Sequence, residues 1–181
     1  MICNQNKFIF NHQGKSAGSS ITNALSFLVP AETNKMYKEG AKHLSLIEQV
    51  EIVRSMGFDS EDYFKFTTVR NPWDRQISWY YHWMKVTESY MDFNEWILKS
   101  EKARLFYSNL ESMDYIIRFE NLDSDWKEVC EILHFKHIEL SIIDHDTKRP
   151  TRGYQTYYNQ YSIDIVHERN KDIINKFGYN F

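Results

Sequence analysis

Short apolar runs alternate along the chain with stretches in which apolar residues recur at helical spacing. The short runs are rich in β-branched and aromatic residues, which favour β-strands. They predict strands over Lys7–Phe10, Tyr63–Val69 and Asp114–Phe119. Conspicuous polar loops follow the first two of them, after Phe10 and after Val69.

The intervening segments predict helices. Ile21, Ala24, Leu25 and Leu28 occupy positions i, i+3, i+4 and i+7, which lie on one helix face. Ser45 and Glu48 form a capping box that opens the next helix. Its predicted apolar face comprises Leu46, Ile47, Val50 and Val53, and its end falls at Gly57. Further helices are predicted after the Asn71-Pro72 cap, over Phe93–Lys99, through Trp126, Val129, Cys130 and Leu133, and near Ser162–Phe177 before Gly178.

Strands that alternate with helices predict an α/β fold with a mainly parallel central sheet flanked by helices. The chain has 181 residues, which is the length of one domain, so we expect a single domain over residues 1–181. In such sheets, ligands bind beyond the carboxyl ends of the strands. The polar segments after Phe10 and after Val69 are therefore the first places to look for a site.

Composition excludes several classes of protein. The formal net charge is −3, whereas proteins that bind nucleic acid through phosphates are usually basic, so no nucleic-acid partner is expected. No apolar run approaches the roughly 20 residues of a membrane span, and no secretory signal is visible. The two cysteines, Cys3 and Cys130, provide no disulfide framework, which favours a reducing, cytoplasmic location. Cys130 falls on the apolar face of a predicted helix and is expected in the core.

The segment after the first strand contains the small and polar residues of an anion-binding loop. Its Gly14-Lys15-Ser16 resembles the end of a P-loop, but Ile9 stands where the ATP- and GTP-binding motif requires glycine. Backbone N–H groups at a helix N-terminus bind anions, lysine adds a charge and serines add hydroxyl donors. The candidate residues are Gly14, Lys15, Ser16, Ala17, Gly18, Ser19 and Ser20. The alternative is an ordinary turn that caps a helix.

The segment after the second strand places an arginine at a strand end. The planar guanidinium of Arg70 suits a phosphate group, which it can bind through two parallel hydrogen bonds. Ser78 lies seven residues beyond the Asn71 cap and returns to nearly the same helix face, so one anion could contact Arg70 and Ser78 together. The alternative is a well-capped helix that carries a surface arginine.

Together, the two segments resemble those of the sulfotransferase family that uses 3′-phosphoadenosine 5′-phosphosulfate (PAPS). The sequence FIFNHQGKSAGSSI, Phe8–Ile21, looks like the 5′-phosphosulfate loop of that family, and FTTVRNPWDRQISWY, Phe66–Tyr80, looks like its 3′-phosphate segment. The resemblance extends to Lys42–Ser45, Arg118–Leu122 and Phe177–Tyr179. The chain is similar to the short soluble bacterial members of the family, which act on carbohydrates or related hydroxyls. The chain departs from the family at Gln13-Gly14, where Ile-Pro is usual, and at positions 16 and 19, where serine replaces threonine.

The resemblance implies PAPS as the sulfuryl donor and adenosine 3′,5′-bisphosphate as the product. It implies a P-loop-like fold and a carbohydrate or other small hydroxylated acceptor. The transfer resembles phosphoryl transfer, in which in-line positioning and electrostatics do most of the catalysis, and it requires no metal.

Residue roles follow from the same resemblance. Lys15 would neutralise charge on the leaving 5′-phosphate. His43, just before a helix N-terminus that favours the neutral imidazole, is the predicted general base, and His12 beside the first loop is its rival. Phe119 would line the adenine pocket, unless it is a core aromatic, and Arg152 would reach the nucleotide or acceptor from a late polar loop.

Two other functions remain open on the sequence. A non-catalytic nucleotide-binding protein could keep the same fold, and the Gln13-Gly14 departure is compatible with that alternative. A P-loop kinase would need a glycine at position 9 and a strand that ends in a magnesium-binding aspartate, whereas the sequence has Ile9 and Arg70. The identity of the acceptor and the oligomeric state cannot be derived from the sequence.

Overall fold

The structure is a computed structural model, and it describes residues 1–30, 44–100, 109–136, 138–141 and 153–181. The chain divides into two compact units. The first unit comprises Met1–Val69 and Tyr107–Ile143, and the second comprises Arg70–Phe106 and Asp144–Phe181. The expectation of a single domain over residues 1–181 remains a prediction.

A four-stranded sheet lies in the first unit. Its strands follow the order β1, β2, β3, β4, with β1 antiparallel to β2 and the other two neighbouring pairs parallel. The α/β fold with a mainly parallel sheet is therefore confirmed. The strands are β1 (Ile2–Cys3), β2 (Phe8–Asn11), β3 (Phe64–Val69) and β4 (Tyr115–Arg118). The sequence pattern missed β1, which is only two residues long.

Six α-helices accompany the sheet in the described part of the chain. They are α1 (Gly18–Leu25), α2 (Leu46–Ser55), α3 (Pro72–Thr87), α4 (Phe93–Lys99), α5 (Leu122–Ile132) and α6 (Gln160–Phe177). All six were predicted, with boundaries that shift by a few residues. No helix among the described residues is long and apolar enough to cross a membrane.

The sheet of the first unit carries an apolar cluster on each face. Phe10 and Phe66 pack on one side with Ile21 of α1 and Trp126 of α5, and all four side chains are buried. Cys130 is 1% exposed in the same cluster, as the sequence predicted. On the other side, Ile9 packs with a smaller set, Leu46, Val53 and Tyr63. The two clusters fix which side chains of β2 and β3 face α1 and which face α2.

Helix α2 begins as predicted, and Leu46, Val50 and Val53 of its predicted apolar face pack on the sheet, whereas Ile47 does not. The Ser45 hydroxyl accepts from the Glu48 amide, while the Glu48 carboxylate accepts from the hydroxyl and the amide of Ser45. The two bonds to the carboxylate, the one from the hydroxyl first, lower the pKa of Glu48. Ile47, expected on the apolar face, is 57% exposed, whereas Gln49 is 2% exposed. Gln49 is buried because its amide nitrogen donates to the Phe10 carbonyl at 3.1 Å, so a hydrogen bond to the sheet replaces an apolar contact.

The second unit is built from α3, α4 and α6. Asn71 caps α3 through its side-chain oxygen, which accepts from the amides of Trp73 and Asp74, and Pro72 occupies the first helical position. The same side chain donates to the Asn180 carbonyl at 2.9 Å, which ties the start of α3 to the end of the chain. Helix α6 ends at Gly178, whose φ of 65° lies in the left-handed region that glycine adopts readily.

Candidate donor-binding site

The loop of residues 12–17, here called the phosphate loop, joins β2 to α1. Two of its residues that are not glycine lie in the left-handed region, Lys15 at φ 63° and Ala17 at φ 64°. Such a conformation costs an L-residue about 1–2 kcal/mol. Strain of this kind persists where the surroundings impose it, and it concentrates at ligand-binding sites. The loop is therefore held in a shape that its sequence does not prefer.

Position 18, the first of α1, requires glycine because the His12 side chain lies very close to it. A Cβ atom at Gly18 would lie 1.7 Å from Cδ2 of His12 and 2.1 Å from its Nε2. The His12 ring also stacks on Phe10, with ring centroids 6.2 Å apart. His12 thus packs between the end of β2 and the first turn of α1, where it supports the loop.

The N-terminus of α1 differs from those of the other described helices. Its N-cap residue, Ala17, makes no side-chain hydrogen bond, and no acidic residue lies in its first turn. Each of the other five described helices has a side-chain cap or an acidic first turn. Ser19 and Ser20, both half-buried, lie in the first turn of α1. The first-turn amides are therefore available to a bound anion.

Ser16 points to a missing hydrogen-bond partner. The residue is 0% exposed, and its Oγ has no partner in the described part of the chain. Buried hydroxyls are normally paired, because leaving one unpaired costs free energy. A bound anion at the loop would accept the Ser16 hydrogen bond. Ser16 is thus an orphaned donor at the place where the sequence predicted an anion.

A buried amide network lies beside the loop and was not predicted. Asn11, at the end of β2, donates to the Gln49 side chain at 2.9 Å and to the Leu44 carbonyl at 3.0 Å. Gln13 in turn donates to the Asn11 side-chain oxygen at 2.9 Å. Asn11 and Gln49 are each 2% exposed. The only sequence signal was the polar residue that interrupts each apolar pattern, Asn11 after FIF and Gln49 in α2.

Arg70, the first residue of the second unit, is held by a carboxylate. Its Nε donates to Oδ2 of Asp74 at 2.7 Å, and one terminal nitrogen lies 2.6 Å from the same oxygen. The two side chains are 8% and 16% exposed, so the pair is largely shielded from water. Asp74 orients the guanidinium, a role that the sequence analysis did not assign. Ser78 is half-buried on α3, two turns beyond the cap.

The remaining predicted residues divide into two groups. Phe119 lies in the turn Phe119–Asn121 directly after β4 and is half-buried. His43 and Arg152 lie outside the described residues. Gly14 to Ser20 form one continuous feature in the first unit, and Arg70 and Ser78 belong to one capped helix in the second.

Comparison with known proteins identifies the class. A family model described as Sulfotransferase family matches residues 1–180 of the chain. The chain belongs to this family and is a sulfotransferase enzyme. No curated protein and no solved structure matches. Sulfotransferases of this family generally take their sulfuryl group from PAPS.

The described residues fit such a donor. The phosphate loop, with the Lys15 side chain and the orphaned Ser16 hydroxyl, and the first-turn amides of α1 directly after it form one segment that would hold an anionic group. In the described ranges, no group of three or more His, Cys, Asp or Glu side chains is arranged to hold a metal ion. The amides, hydroxyls and lysine of this segment are all hydrogen-bond donors, which suits an anionic ligand.

Proposed function

We propose that this enzyme transfers a sulfuryl group from PAPS to a hydroxyl of a carbohydrate or other small acceptor. The observation that carries the proposal is the phosphate loop, which combines an uncapped helix N-terminus with a buried, unpartnered Ser16 hydroxyl. The bound donor supplies an activated sulfuryl group on its 5′-phosphate. The free thiols of Cys3 and Cys130 agree with the cytoplasmic location that we propose.

Lys15 and the first-turn amides of α1 bind the 5′ end of the donor. As the bond between sulfur and the 5′-phosphate oxygen breaks, negative charge grows on that oxygen, and Lys15 neutralises it. Ser16, Ser19 and Ser20 donate hydrogen bonds to the same anionic group. The loop is already in its strained, left-handed conformation, so little reorganisation remains for the moment of reaction.

Arg70 and Ser78 bind the 3′-phosphate. Asp74 holds the Arg70 side chain through two contacts to one carboxylate oxygen, which fixes the direction of the guanidinium before the nucleotide arrives. Phe119, half-buried after β4, contributes to the adenine pocket, and Arg152 contacts the nucleotide or the acceptor.

His43 takes the proton of the acceptor hydroxyl as that oxygen bonds to sulfur. This assignment rests on the place of His43 in the sequence, two residues before the Ser45 cap of α2, where a helix N-terminus favours the neutral imidazole. His12 is the weaker candidate, because its ring packs against Gly18 and Phe10.

Nucleotide binding and turnover test separate parts of the proposal. Calorimetry should show that adenosine 3′,5′-bisphosphate binds much more tightly than adenosine 5′-monophosphate, because the second ligand leaves Arg70 and Ser78 without a phosphate. Equal affinities would contradict the assignment of the 3′-phosphate site. Binding without turnover on any acceptor, in a screen with labelled PAPS, would favour the non-catalytic alternative.

The base is tested by a matched pair of variants. His43→Ala should lower turnover by about 10²–10⁴ and leave PAPS binding nearly unchanged, because a positioned base contributes to rate and not to donor affinity. The pH–rate profile of the native enzyme should rise through one ionisation near or below neutrality, and the variant should lose that rise. If His12→Ala abolishes turnover and His43→Ala does not, the base is His12.

A further inference from the structure

Two adjacent threonines near the end of β3 differ in whether their hydroxyls are hydrogen-bonded. Thr67 and Thr68 are both 0% exposed. The Thr67 hydroxyl donates to the Asn11 carbonyl at 2.7 Å. The Thr68 hydroxyl has no hydrogen-bond partner in the described part of the chain. Among the described residues, Ser16 and Thr68 carry the buried hydroxyls that lack a partner.

Thr68 lies on the face of the sheet that α1 covers. Side chains alternate along a strand, so Thr68 shares the face of Phe66, which packs with Phe10 and with Ile21 of α1. Its partner on β4 is Ile117, which belongs to the same cluster. Thr68 is two residues closer than Phe66 to the carboxyl end of β3. Its hydroxyl therefore lies at the end of the apolar core that is nearest the turn into α1.

The strand pairing places the phosphate loop beside this position. Asn11 pairs with Thr67 in the parallel ladder, so residue 12, where the loop begins, is the next neighbour of Thr68. His12 stacks on Phe10 and packs against Gly18, which puts its side chain on the α1 face as well. The Ser16 hydroxyl thus lies in the loop just before α1, and the Thr68 hydroxyl lies near the end of the adjoining strand β3.

Valine has the shape of threonine without its hydroxyl and would suit an apolar face better. A buried hydroxyl without a partner destabilises the folded protein, whereas the same hydroxyl bonded to an anion forms a strong hydrogen bond. Resting on the proposed function, we propose that Thr68 is a further donor-binding residue. Its hydroxyl donates to an oxygen of the anionic 5′ group that the phosphate loop holds.

The test sets PAPS affinity against the stability of the unliganded protein. Thr68→Val should weaken PAPS binding roughly ten- to a hundred-fold, measured by calorimetry without acceptor, because a hydrogen bond to a charged group is lost. The melting temperature of unliganded Thr68→Val should equal or exceed that of the native protein. Thr68→Ser, which keeps the hydroxyl, should retain most of the native affinity.

Thr67→Val is the matched control, because it removes a neighbouring buried hydroxyl that already has a partner. It should lower the melting temperature and leave PAPS affinity within about threefold, since the cost falls on an internal hydrogen bond. If Thr68→Val lowers the affinity for PAPS alone, the hydroxyl contacts the sulfuryl group. If it also lowers the affinity for adenosine 3′,5′-bisphosphate, the hydroxyl contacts the 5′-phosphate, and both results support the proposal.

Unchanged PAPS affinity in a folded Thr68→Val protein would overturn the proposal while leaving the proposed function intact. A native protein that fails to bind PAPS at all would overturn the proposed function, and this inference with it. If Thr68→Val does not fold, Thr68→Ala provides the same comparison against Thr68→Ser. In that case, equal affinities of the alanine and serine variants would overturn the assignment.

Discussion

The phosphate loop after β2 and the arginine segment after β3 are proposed to bind the two ends of one nucleotide, and they are built in opposite ways. The loop relies on backbone amides, a left-handed backbone and an orphaned hydroxyl. The arginine segment relies on side chains that are already fixed, with Asn71 capping α3 and Asp74 holding Arg70. On this proposal, the loop contains donors that a bound anion would satisfy, whereas the side chains of the arginine segment are held by other residues before any ligand binds. Truncation of the polar side chains of the loop should therefore affect binding alone, whereas truncation of Arg70 in the second region should affect both binding and stability.

Among changes in these two regions, Lys15→Ala should have the largest effect, a loss of turnover of about 10²–10³, because a charged donor that stabilises the leaving group is removed. Alanine experiences the same left-handed backbone as lysine, so the variant isolates the side chain. The melting temperature should hardly change. Steady-state kinetics with labelled PAPS measure the loss, and a variant that keeps native turnover would contradict the role of Lys15.

Arg70→Ala should weaken binding of adenosine 3′,5′-bisphosphate roughly ten- to a hundred-fold, since a charged hydrogen bond contributes about 1.5–3 kcal/mol. It should also lower the melting temperature, because Asp74 loses its two contacts to Arg70 in a site where the two side chains are 8% and 16% exposed. Arg70→Lys should restore the charge but not the two-contact geometry, so affinity recovers only in part. A neutral result for alanine would mean that Arg70 does not contact the nucleotide.

Gly18→Ala should destabilise the protein by about 1–3 kcal/mol, because the new methyl group overlaps the His12 ring. Thermal unfolding of the unliganded protein measures the change. His12→Ala removes the obstacle, so the double variant should recover stability relative to Gly18→Ala. Strict additivity of the two changes would show that the close approach of His12 and Gly18 is not what requires glycine.

Chelation should have the smallest effect. Excess EDTA should leave turnover within about twofold of its native value, because Lys15 supplies the positive charge that phosphoryl-transfer enzymes obtain from magnesium. The measurement uses the same labelled-donor assay, with added magnesium as the control. Loss of turnover that magnesium restores would favour the kinase alternative.

The residues that begin and end helices were the most informative part of the sequence. The Asn71-Pro72 cap, the Ser45–Glu48 capping box and the Gly178 stop are local rules, and each was confirmed. The left-handed backbone conformations were harder to predict. The sequence has glycines at 14 and 18, whereas the residues with positive φ are Lys15 and Ala17. Gln49 was also missed, since its burial depends on a strand-end carbonyl that is distant in sequence. Tertiary hydrogen bonds of that kind leave no local pattern.

The parallel pairing of β2, β3 and β4 has a consequence for how the chain folds. Phe8 pairs with Phe64, and Phe66 pairs with Tyr115, so the central ladders join residues that are about fifty positions or more apart. Closing such long connections costs chain entropy before the ladders return any stability, and rates of folding fall as contacts become less local. We therefore expect the central ladders to form more slowly than the helices. Until β3 joins β2, the ladder that carries Thr67 and Thr68 does not exist, so the proposed donor site requires this long-range pairing.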